Sequence, residues 1–227
     1  MGTEAAARLR LLQLVSPALP VGAFSYSEGL EVLVQQGLIT DAAALEPWLA
    51  AELRRGVLAV ETAALSELST ALRCWCLGEG DASSVLALDG WLLAHREAAE
   101  LRAQQRQMGQ SLLQLLEDLG WPLPEPRSGL GWTAAFAWAA LCMDIGSPQL
   151  EEAYLYSWVS NQISAAVRLV PLGPTQGQRL QLAMAPQIAE CAERLACLAP
   201  QQLWNGGIGV GLAQLGHAGL YSRLFRS

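Results

Sequence analysis

From residue 42 to residue 74 the chain reads "AAALEPWLAAELRRGVLAVETAALSELSTALRC", with apolar positions recurring three and four residues apart. That spacing gives one buried helical face, and alanine, leucine and glutamate are strong helix formers. Asp41 or Thr40 supplies the N-cap, and Gly78 and Gly80 stop the run. A second helical pattern opens at Asp81 and continues to about Leu119, where "GWPLPEP" interrupts it with prolines. Ser128 is placed to cap a helix through "LGWTAAFAWAALCM". Ser147 precedes a proline at the first helical position, Pro148, and Glu151 and Glu152 suit the positive end of a helix reaching about Val170. Thr175 and Gln178 fit a capping box for the next helix, which Pro186 should kink. No strand-like alternation and no internal repeat interrupts this pattern. It predicts an all-α protein, a multi-helix bundle forming a single domain over residues 1–227.

Within the helix ending near Val170, Leu155, Trp158, Val159, Ile163, Ala166 and Val170 share one face. Gln162 falls in the middle of it, so its amide must be satisfied in the core or across an interface. Arg168 falls on the opposite face, either as a solvated charge or as a contact to an acidic partner.

Composition changes the picture mainly by exclusion. An apolar fraction of 52% rules out a disordered chain. The mean hydropathy of +0.25 is high for a soluble monomer and asks for a membrane or a subunit interface. The uncharged stretch Ser128 to Met143 is too short for a bilayer span, and Leu195 to Ser222 is broken by Pro200, Asn205 and six glycines. With no signal-peptide pattern, the expectation is a cytoplasmic protein that buries apolar surface against other protein, without a membrane role. A net charge of -7 argues against nucleic-acid binding. All 14 basic residues are arginine, which excludes lysine Schiff-base chemistry and a lysine-bearing phosphate loop.

Catalytic and metal motifs do not emerge. The histidines, His95 and His217, stand outside any H-x-x-x-H spacing, and Cys74 and Cys76 point apart on a helix. Cys142, Cys191 and Cys197 read as buried structural thiols. The pattern is that of a binding protein: no catalytic residue, no metal ligand set and no cofactor. The end of the chain, "YSRLFRS", places Tyr221, Leu224 and Phe225 at i, i+3 and i+4, one face of a short helix, with Arg223 and Arg226 beside it. Either it is a frayed terminus behind Gly216 and Gly219, or it is a docking peptide whose arginines meet carboxylates.

Three stretches carry a resemblance: "SPALPVGAFSYSEGLE", "AAVRLVPLGPTQGQ" and "YSRLFRS", in this order and separation. Together they resemble the urease accessory protein UreF family over nearly the whole chain. Pro174 stands where the family commonly has glutamine, and Ala218 where an acid often follows the histidine. The resemblance implies an all-helical protein that dimerises and bridges UreD and the GTPase UreG on apo-urease. That complex delivers nickel to a lysine-carbamylated active site, and UreF itself catalyses no covalent step. Residues 217–227 then become a tail docking on UreD, comprising His217, Tyr221, Ser222, Arg223, Leu224, Phe225, Arg226 and Ser227. Arg168, Gln176, Gln178 and Arg179 become candidates for facing the GTPase or assembling the complex. Ser25 and Glu28 either form a capping box or, with Tyr26, a polar contact near an ion path or interface. Two alternatives stay open: a regulator of the partner's GTP hydrolysis with Arg168 or Arg179 as a finger, and a helical domain enclosing a small apolar ligand.

Overall fold

The structure is a computed structural model and describes residues 4–125 and 129–227. Ten α-helices follow one another among the described residues, without a strand: α1 (Glu4–Leu14), α2 (Leu30–Gln35), α3 (Ala42–Arg55), α4 (Val57–Leu77), α5 (Ala82–Ala94), α6 (Ala99–Asp118), α7 (Trp132–Cys142), α8 (Gln149–Leu169), α9 (Pro174–Leu195) and α10 (Ile208–Gly216). The all-α expectation holds.

Helix α4 is the axis of the bundle and touches α3, α5, α7, α8 and α9. Every residue from Val57 to Leu65 is buried, because helices pack on it from several sides at once. Beside it lies α7, buried from Thr133 to Ala140, where five alanines let neighbouring helices approach closely. Helices α8 and α9 pair along their length, with Gly177 of α9 against Ile163 and Val167 of α8.

The predicted helix from Asp41 is two helices, broken at Gly56, which adopts an extended conformation. A Cβ there would strike the Glu52 carboxylate, so the break is set by a contact one turn back rather than by propensity. The pattern from Asp81 is likewise two helices, separated at His95–Ala98, where Arg102 donates to the carbonyl oxygens of Arg96 (2.6 Å) and Glu97 (2.8 Å). Asp41 and Asp81 cap α3 and α5 as expected, through Ala44 N–H and Ser83 N–H. Ser128 lies outside the described residues. Gly131 precedes α7, and its N–H is held by Asp89 of α5 at 2.9 and 3.1 Å. Burial pushes the Asp89 carboxyl up to about 6.

Pro148 sits just before α8 rather than inside its first turn. Helix α9 starts at Pro174, not beyond Thr175: Gly173 N–H donates to the Gln176 side-chain carbonyl at 3.0 Å, so Gln176 takes the role expected of Gln178, and α9 continues through Pro186. The α8 stripe is buried at Leu155, Val159, Ile163, Ala166 and Val170. Gln162 is fully buried with it, and neither its amide oxygen nor its nitrogen has a partner.

Candidate functional site

Two buried charged residues, one on an apolar helix and one at a helix junction, organise the interior. Glu61 lies on the buried face of α4, and Arg96 turns inward from the α5–α6 junction. The guanidinium meets Glu61 in a fork, Nε to Oε1 at 2.7 Å and a terminal nitrogen to Oε2 at 2.7 Å, and reaches Glu28 at 3.3 Å. This is the planar two-point geometry that arginine supplies and lysine does not. Burial opposes the charge on Arg96, but Glu61 and Glu28 outweigh it and hold the guanidinium protonated above its ordinary range. Burial and then Glu61 push the Tyr154 hydroxyl up, so it remains a donor, 3.0 Å from Glu61, and it also meets Thr133 at 2.9 Å.

Glu28 joins this cluster to the surface. Its carboxylate accepts from Gln104 (2.6 Å) and from the Trp158 indole N–H (3.0 Å) as well as from Arg96. Its φ of 52° lies in the left-handed region, where a side chain other than glycine is strained, and Gly29 follows at 91°. Gly29 is needed for space too, since a Cβ there would lie 3.1 Å from Gln214 Cγ. The capping-box alternative for Ser25 and Glu28 is not what forms: Ser25 ends a 3₁₀ turn (Ala23–Ser25), and Glu28 points into the core.

The tail lies along this same segment. The Ser227 main-chain oxygen accepts from Ser27 N–H (2.7 Å), Glu28 N–H (3.1 Å) and the Ser27 hydroxyl (2.8 Å), and the Ser227 hydroxyl donates to Gln104. Arg226 N–H donates to the Ser25 carbonyl at 2.9 Å. Glu31 receives the N–H groups of Leu224 (2.7 Å) and Phe225 (3.1 Å). Gln35 donates to the Ser222 carbonyl at 3.2 Å. His217 is buried between two carboxylates, with Nδ1 at 2.9 Å from Glu100 and Nε2 at 3.5 Å from Glu31. Arg223 also reaches Glu100, at 3.3 Å. Phe225 is buried beneath the Arg168 guanidinium, 4.5 Å from the ring centroid, and Arg168 donates to the Phe24 carbonyl at 3.1 Å.

The predicted residues therefore separate by location. Ser25, Tyr26, Glu28, Arg168, His217 and the tail form one contiguous region. Gln176, Gln178 and Arg179 are exposed on the first turns of α9. The expected short helix across Tyr221, Leu224 and Phe225 does not form: no helix continues past Gly219, and Glu31 takes the N–H groups of residues 224 and 225. Phe225 and Ser227 face inward, whereas Tyr221, Leu224 and Arg226 face outward, Tyr221 being fully exposed. Tyr26 is buried, and its carbonyl accepts from Asn161 at 3.3 Å.

Sequence reading missed Glu31, Glu61, Arg96, Gln104 and Tyr154. Glu61 carried a signal, because Val57, Leu58, Ala64 and Leu65 make its helix face apolar on both sides. Among the described residues no group of three His, Cys, Asp or Glu side chains could hold a metal ion, and no helix is long and apolar enough to cross a membrane.

The UreF family model matches residues 39–185. The chain is 43% identical over 219 residues to the urease accessory protein UreF of Microcystis aeruginosa, covering 96% of this chain and 97% of the relative. It is 42% identical over 224 residues to that of Alkalilimnicola ehrlichii (97% and 96% covered), and 43% identical over 225 residues to that of Thermosynechococcus vestitus (97% and 98%). With the helical fold and these matches across nearly its full length, the chain belongs to the UreF family of urease accessory proteins, which assist an enzyme rather than act as one.

Proposed function

We propose that this chain is a cytoplasmic scaffold of urease maturation, which holds UreD and the GTPase UreG together on apo-urease while GTP hydrolysis drives nickel insertion. Nickel is the cargo, and the chain supplies contacts rather than a resident cofactor. One observation carries the reading: residues 222–227 are fixed against Ser25–Gln35 by main-chain and side-chain bonds, leaving Tyr221, Leu224 and Arg226 exposed as an ordered surface. An ordered apolar and basic edge suits a protein partner, here UreD, better than a frayed end would. Exposed Leu9, Leu12, Tyr156 and Leu182 lend support to a homodimer.

Arg168 is occupied by Phe24 and Phe225, which favours a role in positioning the tail over insertion into UreG. Arg179, Gln176 and Gln178, exposed at the start of α9, are then the residues left to face the GTPase. The test is deletion of the gene in a urease-positive host, followed by complementation with the full chain or with a form lacking residues 221–227. The deletion strain should make abundant urease that is poor in nickel and inactive, and the truncated form should remain helical, fail to capture UreD and fail to restore activity. Normal urease in the deletion strain would sink the reading.

A further inference from the structure

Helix α10 leads into the tail, and where it passes α3 the surface carries a groove of about 430 Å³. Its walls include Leu33, Leu38, Trp48, Val210, Leu212 and Ala213, and among the described residues Glu52 is the one carboxylate that lines it. Glu52 is 5% exposed, accepts no hydrogen bond on its side chain and makes no ion pair among the described residues. Glycines replace side chains around it: Gly56 abuts the carboxylate, and a Cβ on Gly207 would stand 3.6 Å from Oε2.

The charges facing Glu52 do not neutralise it. Arg55, on the same helix, lines the groove without pairing with it. Arg96, from the α5–α6 junction, is already bonded to Glu61 and Glu28, and Glu28, from the segment before α2, repels the Glu52 carboxylate. Three carboxylates thus share one fully engaged guanidinium. Burial pushes the Glu52 carboxyl up to about 7, as expected for an acid without a counter-ion. An acid raised by desolvation and lining a cleft is the kind of group that binding sites are built around.

We propose that this groove receives one arginine or lysine side chain from a basic face of the partner protein, with Glu52 as the counter-ion and the apolar walls holding the aliphatic stem. Such side chains lay their methylenes along apolar surface while the charged head seeks a carboxylate, and Trp48 adds an aromatic wall. A metal ion fits less well, since no group of three ligating side chains is present among the described residues. A second copy fits less well too, because each copy carries a net charge of -7. Leu38 and Leu212, two of the groove's apolar lining residues, are themselves exposed, and α10, which supplies Val210, Leu212 and Ala213, runs directly into the tail. The inference rests on the scaffold reading and takes UreD as the partner.

The experiment measures UreD affinity of the full-length protein by biolayer interferometry at low and high salt. It uses wild type, Glu52→Gln, Leu212→Arg, Leu212→Gln and the form lacking residues 221–227. Glu52→Gln should keep its helical circular dichroism spectrum, lose about tenfold or more in affinity, and show weaker salt dependence. Leu212→Arg, at an exposed position, should place a cation of the chain's own beside Glu52 and block the partner, whereas Leu212→Gln should not. If Glu52→Gln fails to fold, the two Leu212 variants decide alone. Wild-type affinity and salt dependence in Glu52→Gln, or in Leu212→Arg, overturns the inference while the tail truncation still tests the scaffold reading. Failure of wild type to bind UreD overturns both. Loss of self-association in Glu52→Gln with intact UreD binding assigns the groove to a second copy and also overturns the inference.

Discussion

Replacing Glu52 by glutamine removes an ionisable group whose folded-state pKa, about 7, lies above the 4.5 of an unburied glutamate. Below pH 4.5 the acid is protonated in both states and contributes no difference. Between pH 4.5 and about 7 the unfolded chain has released the proton while the folded chain retains it, so the folded state loses stability as pH rises. Above about 7 the loss is complete. At ~1.4 kcal/mol per pH unit, this gap amounts to about 3 kcal/mol. Glutamine matches the shape without the charge, so Glu52→Gln should be more stable than wild type, by about 1 kcal/mol at pH 5.5 and about 3 kcal/mol at pH 8.5. Urea denaturation followed by circular dichroism at the two pH values measures this directly. With a urea dependence of roughly 2–3 kcal/mol per molar, the midpoint at pH 8.5 should rise by about 1 M. A variant that is less stable than wild type, or whose advantage does not grow with pH, would show that Glu52 has a partner in the free protein and refute the reasoning.

Arg96→Ala leaves Glu61 and Glu28 buried without their cation, and should cost about 3–5 kcal/mol in thermal or urea unfolding; a loss below ~1 kcal/mol would mean that water or rearrangement replaces the guanidinium. Gly109→Ala should destabilise by more than about 2 kcal/mol despite the better helix propensity of alanine, because the new Cβ meets the main chain of Leu130 and Gly131 where α6 packs on α7; a raised melting temperature would contradict this contact. Arg168→Ala should weaken UreD capture through the loosened Phe225 and leave UreG hydrolysis rates unchanged. The reverse pattern, intact capture with lost stimulation of hydrolysis, would make Arg168 a GTPase finger.

Much of the helical framework was legible, because leucine and alanine periodicity, the caps at Asp41 and Asp81 and the stop at Gly78 are local signals. The breaks at Gly56 and at His95–Ala98 were not. Each interrupts a stretch of good helix formers for a reason outside the local pattern: the space needed by a buried carboxylate, and an arginine drawn to acids 35 and 68 positions away. Nothing local in "AHREAAE" marks its arginine as core, and only the fold shows that it is. The tail motif was legible as a unit but its conformation was not. Its i, i+3, i+4 spacing suggested a helix, whereas Glu31, 193 and 194 positions earlier, offers its N–H groups better partners.

Glu28 explains why the tail and the interior belong to one arrangement. Its N–H holds the Ser227 main-chain oxygen, its carbonyl accepts from Gln214 of α10, and its carboxylate is shared by Arg96, Gln104 and Trp158. Gln104 repeats the link from the other side, since it donates to Glu28 and accepts from Ser227. A left-handed backbone at a glutamate costs on the order of 1–3 kcal/mol and persists only where its surroundings over-determine it. Here they do, because the Glu28 amide, carbonyl and carboxylate are each bonded to partners from other parts of the chain. The buried ion cluster is therefore weak evidence for stability and stronger evidence for positioning. Through one strained residue it fixes the register in which Ser25–Glu31 receives the tail, and hence which tail side chains face outward.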